Sequence, residues 1–374
     1  MTALFAAICL ALAPLRAADE KPAEKKSDKK AVAAPKDKNG QQKPAAKKEP
    51  KDKDTEAKDA EAKEDEKEEK KAEDRYAVPE TKDADELVKF VTGLKRFRAQ
   101  SREEFFEHVR KAPAAIKTAA ECILELEKDK PTEASAKAKI WLLEARAESA
   151  SEATPKEQKQ LLADVIDHIK AKKDEAGVDE LRLAVTAASA IEQGDNTELA
   201  IDAYEKFHNL FSKSKAKPVA DYAASFEGVV RRLKLPGNEI EIKGKLSDGT
   251  DFDWSKYNGK VVLIDYWATW CGPCRDEVPN VKANYKKYHD RGFEVVGISL
   301  DEERDKVEEY MKNEEIPWVT LFEDGAGWKH SMAKYYGIQS IPTVILVDQK
   351  GKVVSLKARG TELGKLLEQL LAKK

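Results

Sequence analysis

The spacing of apolar residues changes twice along the chain, and each change announces a different kind of structure. After a short N-terminal apolar run and a long charged stretch, aromatic and aliphatic residues return near Tyr76 at helical spacing, with Leu87, Phe90, Val91 and Leu94 forming one stripe. Ser101 with Glu104 predicts a capping box before Phe105, Phe106 and Val109, and Pro113 is expected to end that helix or begin the next. Thr154, with Pro155 at the first helical position and Glu157 three after the cap, predicts a helix carrying Leu161, Leu162, Val165 and Ile169. Gly177 and Gly194 mark later breaks. Six or seven helices are expected between Asp83 and Leu233, joined by short loops and packed as antiparallel hairpins.

The second change falls at Pro236-Gly237. Glu239 to Ile242 alternates like a half-exposed strand, Ser247-Asp248-Gly249-Thr250 reads as a hairpin turn, and Phe252 to Trp254 is expected as the return strand. Val261 to Trp267 is a nearly continuous apolar run, as a central strand covered on both faces would be. Trp270-Cys271-Gly272-Pro273-Cys274 follows, and helical spacing resumes at Val278, Val281, Tyr285 and Tyr288. The predicted organisation is therefore a leader at 1–18, a charged arm at 19–75, an all-α domain at 76–234 and an α/β domain at 235–374.

Composition supports the first two segments. Thr2 to Ala13 is too short to span a bilayer and fits the apolar core of a secretory signal, with Ala17 and Ala18 where a peptidase could cut, although no Lys or Arg precedes it. Cys9, preceded by Ile8, does not make a lipoprotein cleavage box and would be discarded with the leader. From Asp19 to Arg75 there are 18 basic and 18 acidic side chains and no aromatic residue, too little apolar surface to offset the entropy of ordering. The stretch is expected to be a disordered, solvated spacer. The alternative is peripheral contact with the envelope through its basic first part, Lys21 to Lys53. Charged residues make up 37% of the chain, yet its net charge is only −3, so there is no basic field for nucleic acid.

Gly194 to Lys206 resembles a tetratricopeptide-repeat unit in part, but Phe207 stands where that family has a small residue, and no second copy follows at its period. The α-helical domain is accordingly read as one that spaces or docks its neighbour. Cys122, beside Ile123 and Leu126, is expected to be a buried small apolar residue, with a third redox thiol as the alternative if it is exposed.

Four cysteines, Cys9, Cys122, Cys271 and Cys274, are too few for a disulfide scaffold in 374 residues. Only Cys271 and Cys274 have a spacing with chemical content. A zinc site would need a second pair nearby, and His289 and His330 are isolated; haem attachment would need a histidine where Arg275 stands. Neither metal nor cofactor is expected. Redox chemistry remains, and the placement suits it. At a strand-to-helix junction, unpaired N–H groups and the helix dipole favour a thiolate, which makes Cys271 the candidate nucleophile.

From about Ile240 to Leu371 the chain resembles the thioredoxin-fold oxidoreductases, and within them the extracytoplasmic TlpA/ResA-like thiol-disulfide oxidoreductases. The resemblance rests on Gly259-Lys260-Val261-Val262, on Tyr266 through Cys274, on Glu277 with Pro279, on Ile341-Pro342-Thr343, and on Val347 through Val353. Asp301 to Ile338 matches the helix and strand that this family inserts between the halves of the fold. The resemblance implies that Cys271 attacks a partner disulfide, that Cys274 resolves the mixed disulfide, and that Pro342 is a cis-proline facing them. It also implies that the Ile341 backbone pairs with an extended substrate strand, next to a surface formed by Trp270, Gly272 and Pro273. Asp265, six residues before Cys271, matches the buried acid of thioredoxin, where many TlpA/ResA-like members are neutral; burial would let it take the proton from Cys274. Glu277 matches an acidic residue near the ResA-like active site, although a glutamate early in a helix is also favoured by the dipole alone.

Gly272-Pro273 is the dipeptide of reducing thioredoxins, so the expected activity is reduction of protein disulfides in the periplasm or cell envelope. An upstream thiol donor, a membrane-bound one among the options, would return the electrons. Two alternatives are a redoxin-type thiol peroxidase, against which Thr269 lies only two residues before Cys271, and an interaction protein acting through its helices.

Overall fold

The computed structural model describes residues 74–128, 132–194 and 196–372. The expected leader and nearly all of the charged arm lie outside these residues. Seven α-helices come first among the described residues: α1 (Ala84–Arg96), α2 (Arg102–Leu126), α3 (Glu133–Glu148), α4 (Pro155–Lys172), α5 (Val178–Gln193), α6 (Thr197–Phe211) and α7 (Lys217–Leu233). Their starts follow the sequence signals. The Asp83 side chain caps α1, and Thr154 with Glu157 forms the full capping box of α4. Ser101 caps α2 by accepting from the Glu104 N–H, while the Glu104 carboxylate accepts from Gln100 rather than from the cap residue. Two apolar cores result. One joins α1 to α3 through Leu87, Val91, Ile123 and Trp141, and the other runs from α3 to α7 through Leu161, Ile191, Phe207 and Phe226.

The capping box at Ser101 is thus only half formed, and two further expectations for this region are corrected. Pro113 lies inside the 25-residue α2 and does not end it. Ala112, Ala115, Ala119 and Ala120 bury the same helix on either side of the proline, and that packing offsets one lost backbone hydrogen bond. Cys122 is exposed, because the buried stripe of α2 passes through Ala119, Ala120 and Ile123 and leaves Cys122 on another face.

The C-terminal part is a five-stranded sheet with helices on both faces. In chain order it contains β1 (Val261–Trp267), α8 (Gly272–Tyr288), β2 (Phe293–Ser299), α9 (Arg304–Asn313) and β3 (Val319–Leu321). It continues with α10 (Ser331–Tyr335), β4 (Thr343–Val347), β5 (Val353–Ser355) and α11 (Thr361–Leu370). The spatial order is β3-β2-β1-β4-β5, with β1, β2 and β3 parallel and β4 and β5 antiparallel to their neighbours. This is the thioredoxin arrangement, with α9 and β3 as the insertion expected between Asp301 and Ile338.

β1 is central, which explains its unbroken apolar run: Val261 and Leu263 pack towards Val281, Tyr288, Leu363 and Leu367, whereas Val262, Ile264 and Tyr266 pack towards Met332 and Tyr336. The predicted hairpin before it is only partly formed. Leu246 receives the turn bond from Gly249, but Glu239 and Asp251 make isolated bridges, and Trp254 begins a single 3₁₀ turn instead of a return strand. Asp253 accepts from the Ser255 N–H and so offers the backbone a local bond in place of a ladder.

The helical and α/β parts meet at α7 and α10. Gly228 lies so close to Gly337 that a Cβ on Gly228 would stand 2.6 Å from the Gly337 nitrogen, a distance no side chain can occupy. The Arg231 guanidinium sits 4.1 Å over the Tyr335 ring and donates to the Tyr335 carbonyl.

Candidate active site

Strand β1 ends at Trp267, and the chain turns into α8 with Cys271 as its N-cap residue. Cys271 and Cys274 form a disulfide, with 2.02 Å between the sulfurs and 5.3 Å between the Cα atoms. The Cys271 Sγ accepts a hydrogen bond from the Cys274 N–H at 3.2 Å. Exposure does not separate the two cysteines, since Cys271 is 5% and Cys274 4% accessible. Position separates them. Only the Cys271 sulfur occupies the cap, where a backbone N–H and the positive end of the helix would stabilise a thiolate after reduction.

The preceding loop is held by a residue that the sequence did not single out. Asp301, buried just beyond β2, accepts from the Thr269 N–H at 3.0 Å, the Thr269 hydroxyl at 2.6 Å and the Ser299 hydroxyl at 2.8 Å. Its position past the C-terminal end of a parallel strand is where α/β sheets carry their sites, and that was the available signal. Trp270 is 53% exposed and stands 6.1 Å from Trp328, ring centre to ring centre, so an aromatic surface lies beside the disulfide. Gly272 and Pro273 are exposed, and Ile341 and Pro342 are half-buried and joined by a cis peptide bond.

Asp265 lies on β1 between Gly297 of β2 and Val344 of β4, and its carboxylate has no hydrogen-bond partner among the described residues. Part of the residue reaches solvent, but burial, reinforced by the nearby Glu277 carboxylate and opposed by the Arg359 guanidinium, pushes its carboxyl up to about 7. Such a group holds or releases a proton near neutrality. Glu277, half-buried on α8, is otherwise engaged: its Oε1 accepts from the Gly360 N–H at 2.8 Å and from Asn280 at 2.7 Å. Arg359, also missed in the sequence, donates to the Pro342 carbonyl at 3.0 Å. It lies 17 residues from Pro342 and 94 from Asp265, so only the folded sheet connects them.

A parallel β1–β2 pair, an antiparallel β4–β5 arm and a cysteine disulfide at the N-terminus of α8 define a thiol-disulfide oxidoreductase of the thioredoxin superfamily. Residues 232–368 match the Redoxin family model. The chain is similar to the thiol-disulfide oxidoreductase ResA of Bacillus cereus, 29% identical over 167 residues, which are 45% of this chain and 84% of that protein. It matches ResA of Bacillus thuringiensis over the same shares at 28% identity. A solved thioredoxin domain of a Bacteroides vulgatus thiol-disulfide oxidoreductase aligns with 36% of this chain and 97% of that domain, at 27% identity and a TM-score of 0.34. The C-terminal part of this chain is similar to TlpA/ResA-like redoxin domains of the thioredoxin superfamily.

Proposed function

We propose that the protein is exported and reduces disulfides of partner proteins outside the cytoplasm, with Cys271 as nucleophile and Cys274 as resolving thiol. In this reading, 1–18 is the leader, 19–75 the tether, 76–234 a docked helical domain and 235–374 the catalytic domain. The reduced Cys271 thiolate attacks one sulfur of a partner disulfide; a Cys271–partner bond forms, the partner's S–S bond breaks, and its first thiolate leaves and takes up a proton. Cys274, its proton passed to Asp265, then attacks the Cys271 sulfur; the Cys271–partner bond breaks, and the partner's second sulfur leaves as a thiolate that takes up the proton Asp265 returns. Two electrons and two protons have moved to the partner, and the Cys271–Cys274 disulfide is what remains. A donor dithiol must reduce it again.

The observation that carries this reading is the capping position of Cys271, which supplies a stabilised leaving and attacking sulfur. Trp270 and the Ile341–Pro342 backbone would receive the extended partner segment, with Gly272 and Pro273 leaving its approach open. The test is insulin-disulfide reduction by the dithiothreitol-charged protein, together with Cys274→Ala. Turnover should fall to background in Cys271→Ser, and Cys274→Ala should accumulate mixed disulfides through Cys271. Turnover that survives Cys271→Ser would remove the reductase reading.

A further inference from the structure

Three segments far apart in sequence are tied together behind the cysteines. The first tie joins α8 to the turn before α11, where Glu277 accepts from the Gly360 N–H and Asn280 donates to the Gly360 carbonyl at 3.1 Å. Both backbone groups of Gly360 are thus held by one face of the cysteine helix. The second tie runs from the neighbouring residue. Arg359, whose backbone follows the fully buried Ala358, sends its Nη1 to the Pro342 carbonyl at 3.0 Å. Pro342 precedes β4, and β4 places Val344 opposite Asp265.

We propose that Arg359 is a positioning residue of the thiol-disulfide reaction: with its neighbour Gly360 bound to α8, its hydrogen bond to the Pro342 carbonyl holds the Ile341–Pro342 segment against the helix that carries the cysteines. This deepens the proposed reductase reading and rests on it. Arg359 is exposed, and a surface arginine that merely finds a carbonyl adds a small local stabilisation and nothing else. Arg359 differs in where its two ends lie. Its hydrogen bond fixes the backbone on which a partner strand would pair, so losing it should weaken partner binding. Its charge opposes the desolvation and the Glu277 charge that act on Asp265, which is paired with the uncharged Gly297 and Val344 on the flanking strands. Losing it should make Asp265 harder to ionise.

The two actions separate by substitution. Arg359→Met removes bond and charge, whereas Arg359→Lys keeps a charge without the planar donor fork. In the oxidised full-length protein, the Asp265 carboxyl is titrated by carbon-detected NMR. The midpoint is expected to rise by about half a pH unit or more in Arg359→Met and to return towards wild type in Arg359→Lys. With insulin as substrate, KM is expected to rise about tenfold in Arg359→Met, with a smaller change in kcat. An unchanged Asp265 midpoint or an unchanged KM in Arg359→Met overturns the proposal, as does a lowered melting temperature with both readouts at wild-type values. The titration needs no turnover, so its failure is distinguishable from failure of the reductase reading, which wild-type insulin reduction tests directly.

Discussion

Two half-buried carboxylates, one in each half of the molecule, are treated in opposite ways. In the helical part, Glu192 of α5 accepts from Arg232 of α7 at 2.9 Å and from the Tyr204 hydroxyl at 3.3 Å, and Tyr204 in turn lies 3.2 Å from the Ser189 hydroxyl. The pair is nearly closed to water, with the Arg232 side chain 11% and the Glu192 side chain 22% accessible. In the sheet, the Asp265 carboxylate is largely desolvated, has no hydrogen bond among the described residues, and is repelled by the Glu277 carboxylate. A buried charge that only has to hold two helices together is given a partner. One left without a partner is held near the point of protonation, which is the property a proton carrier needs.

This contrast can be broken by exchanging the two cases, and the larger effect is expected at Asp265. An acid whose folded value is raised from about 4 to about 7 stabilises the fold below pH 4 and loses that contribution as the pH climbs to 7. The lost contribution approaches roughly 4 kcal/mol, three units at about 1.4 kcal/mol each. Asp265→Asn should therefore match the wild type at pH 4 in urea unfolding and exceed it increasingly up to pH 7, where the difference levels off. A constant difference across that range would mean that Asp265 is not desolvated as described. Glu192→Gln should act in the other direction and somewhat less, lowering stability by about 3 kcal/mol, because it strands the Arg232 charge in a largely closed site. The same denaturation experiment checks it, and insulin reduction by the folded fraction should be unchanged.

The sequence made different parts of this legible for identifiable reasons. β1 could be read because a strand covered on both faces has to be apolar throughout, and α8 because its stripe resumes directly after the cysteines. The cap of α4 could be read because Thr154, Pro155 and Glu157 act within one turn. Cys122 was misplaced because an isolated cysteine carries no periodic signal, and neighbouring alanines occupy the buried stripe. Trp254 was misplaced because the Asp253 side chain captures the Ser255 N–H, a competition that alternation of apolar residues does not reveal. Within the site, the two-residue spacing of Cys271 and Cys274 is a local pattern, whereas Asp265 was singled out through the resemblance to thioredoxin. Asp301 and Arg359 reach the site only through the parallel β1–β2 pairing and the antiparallel β1–β4 pairing, which no local window contains.

The role of the unpartnered carboxylate is tested most directly by separating the two halves of the exchange. Single-turnover quenched-flow with a disulfide substrate measures formation of the Cys271 mixed disulfide and its resolution by Cys274 as two rates. With Asp265 as the acceptor of the Cys274 proton, Asp265→Asn should slow resolution by about a hundredfold and leave the first attack within a few fold of wild type. Equal slowing of both steps, or of neither, would contradict it.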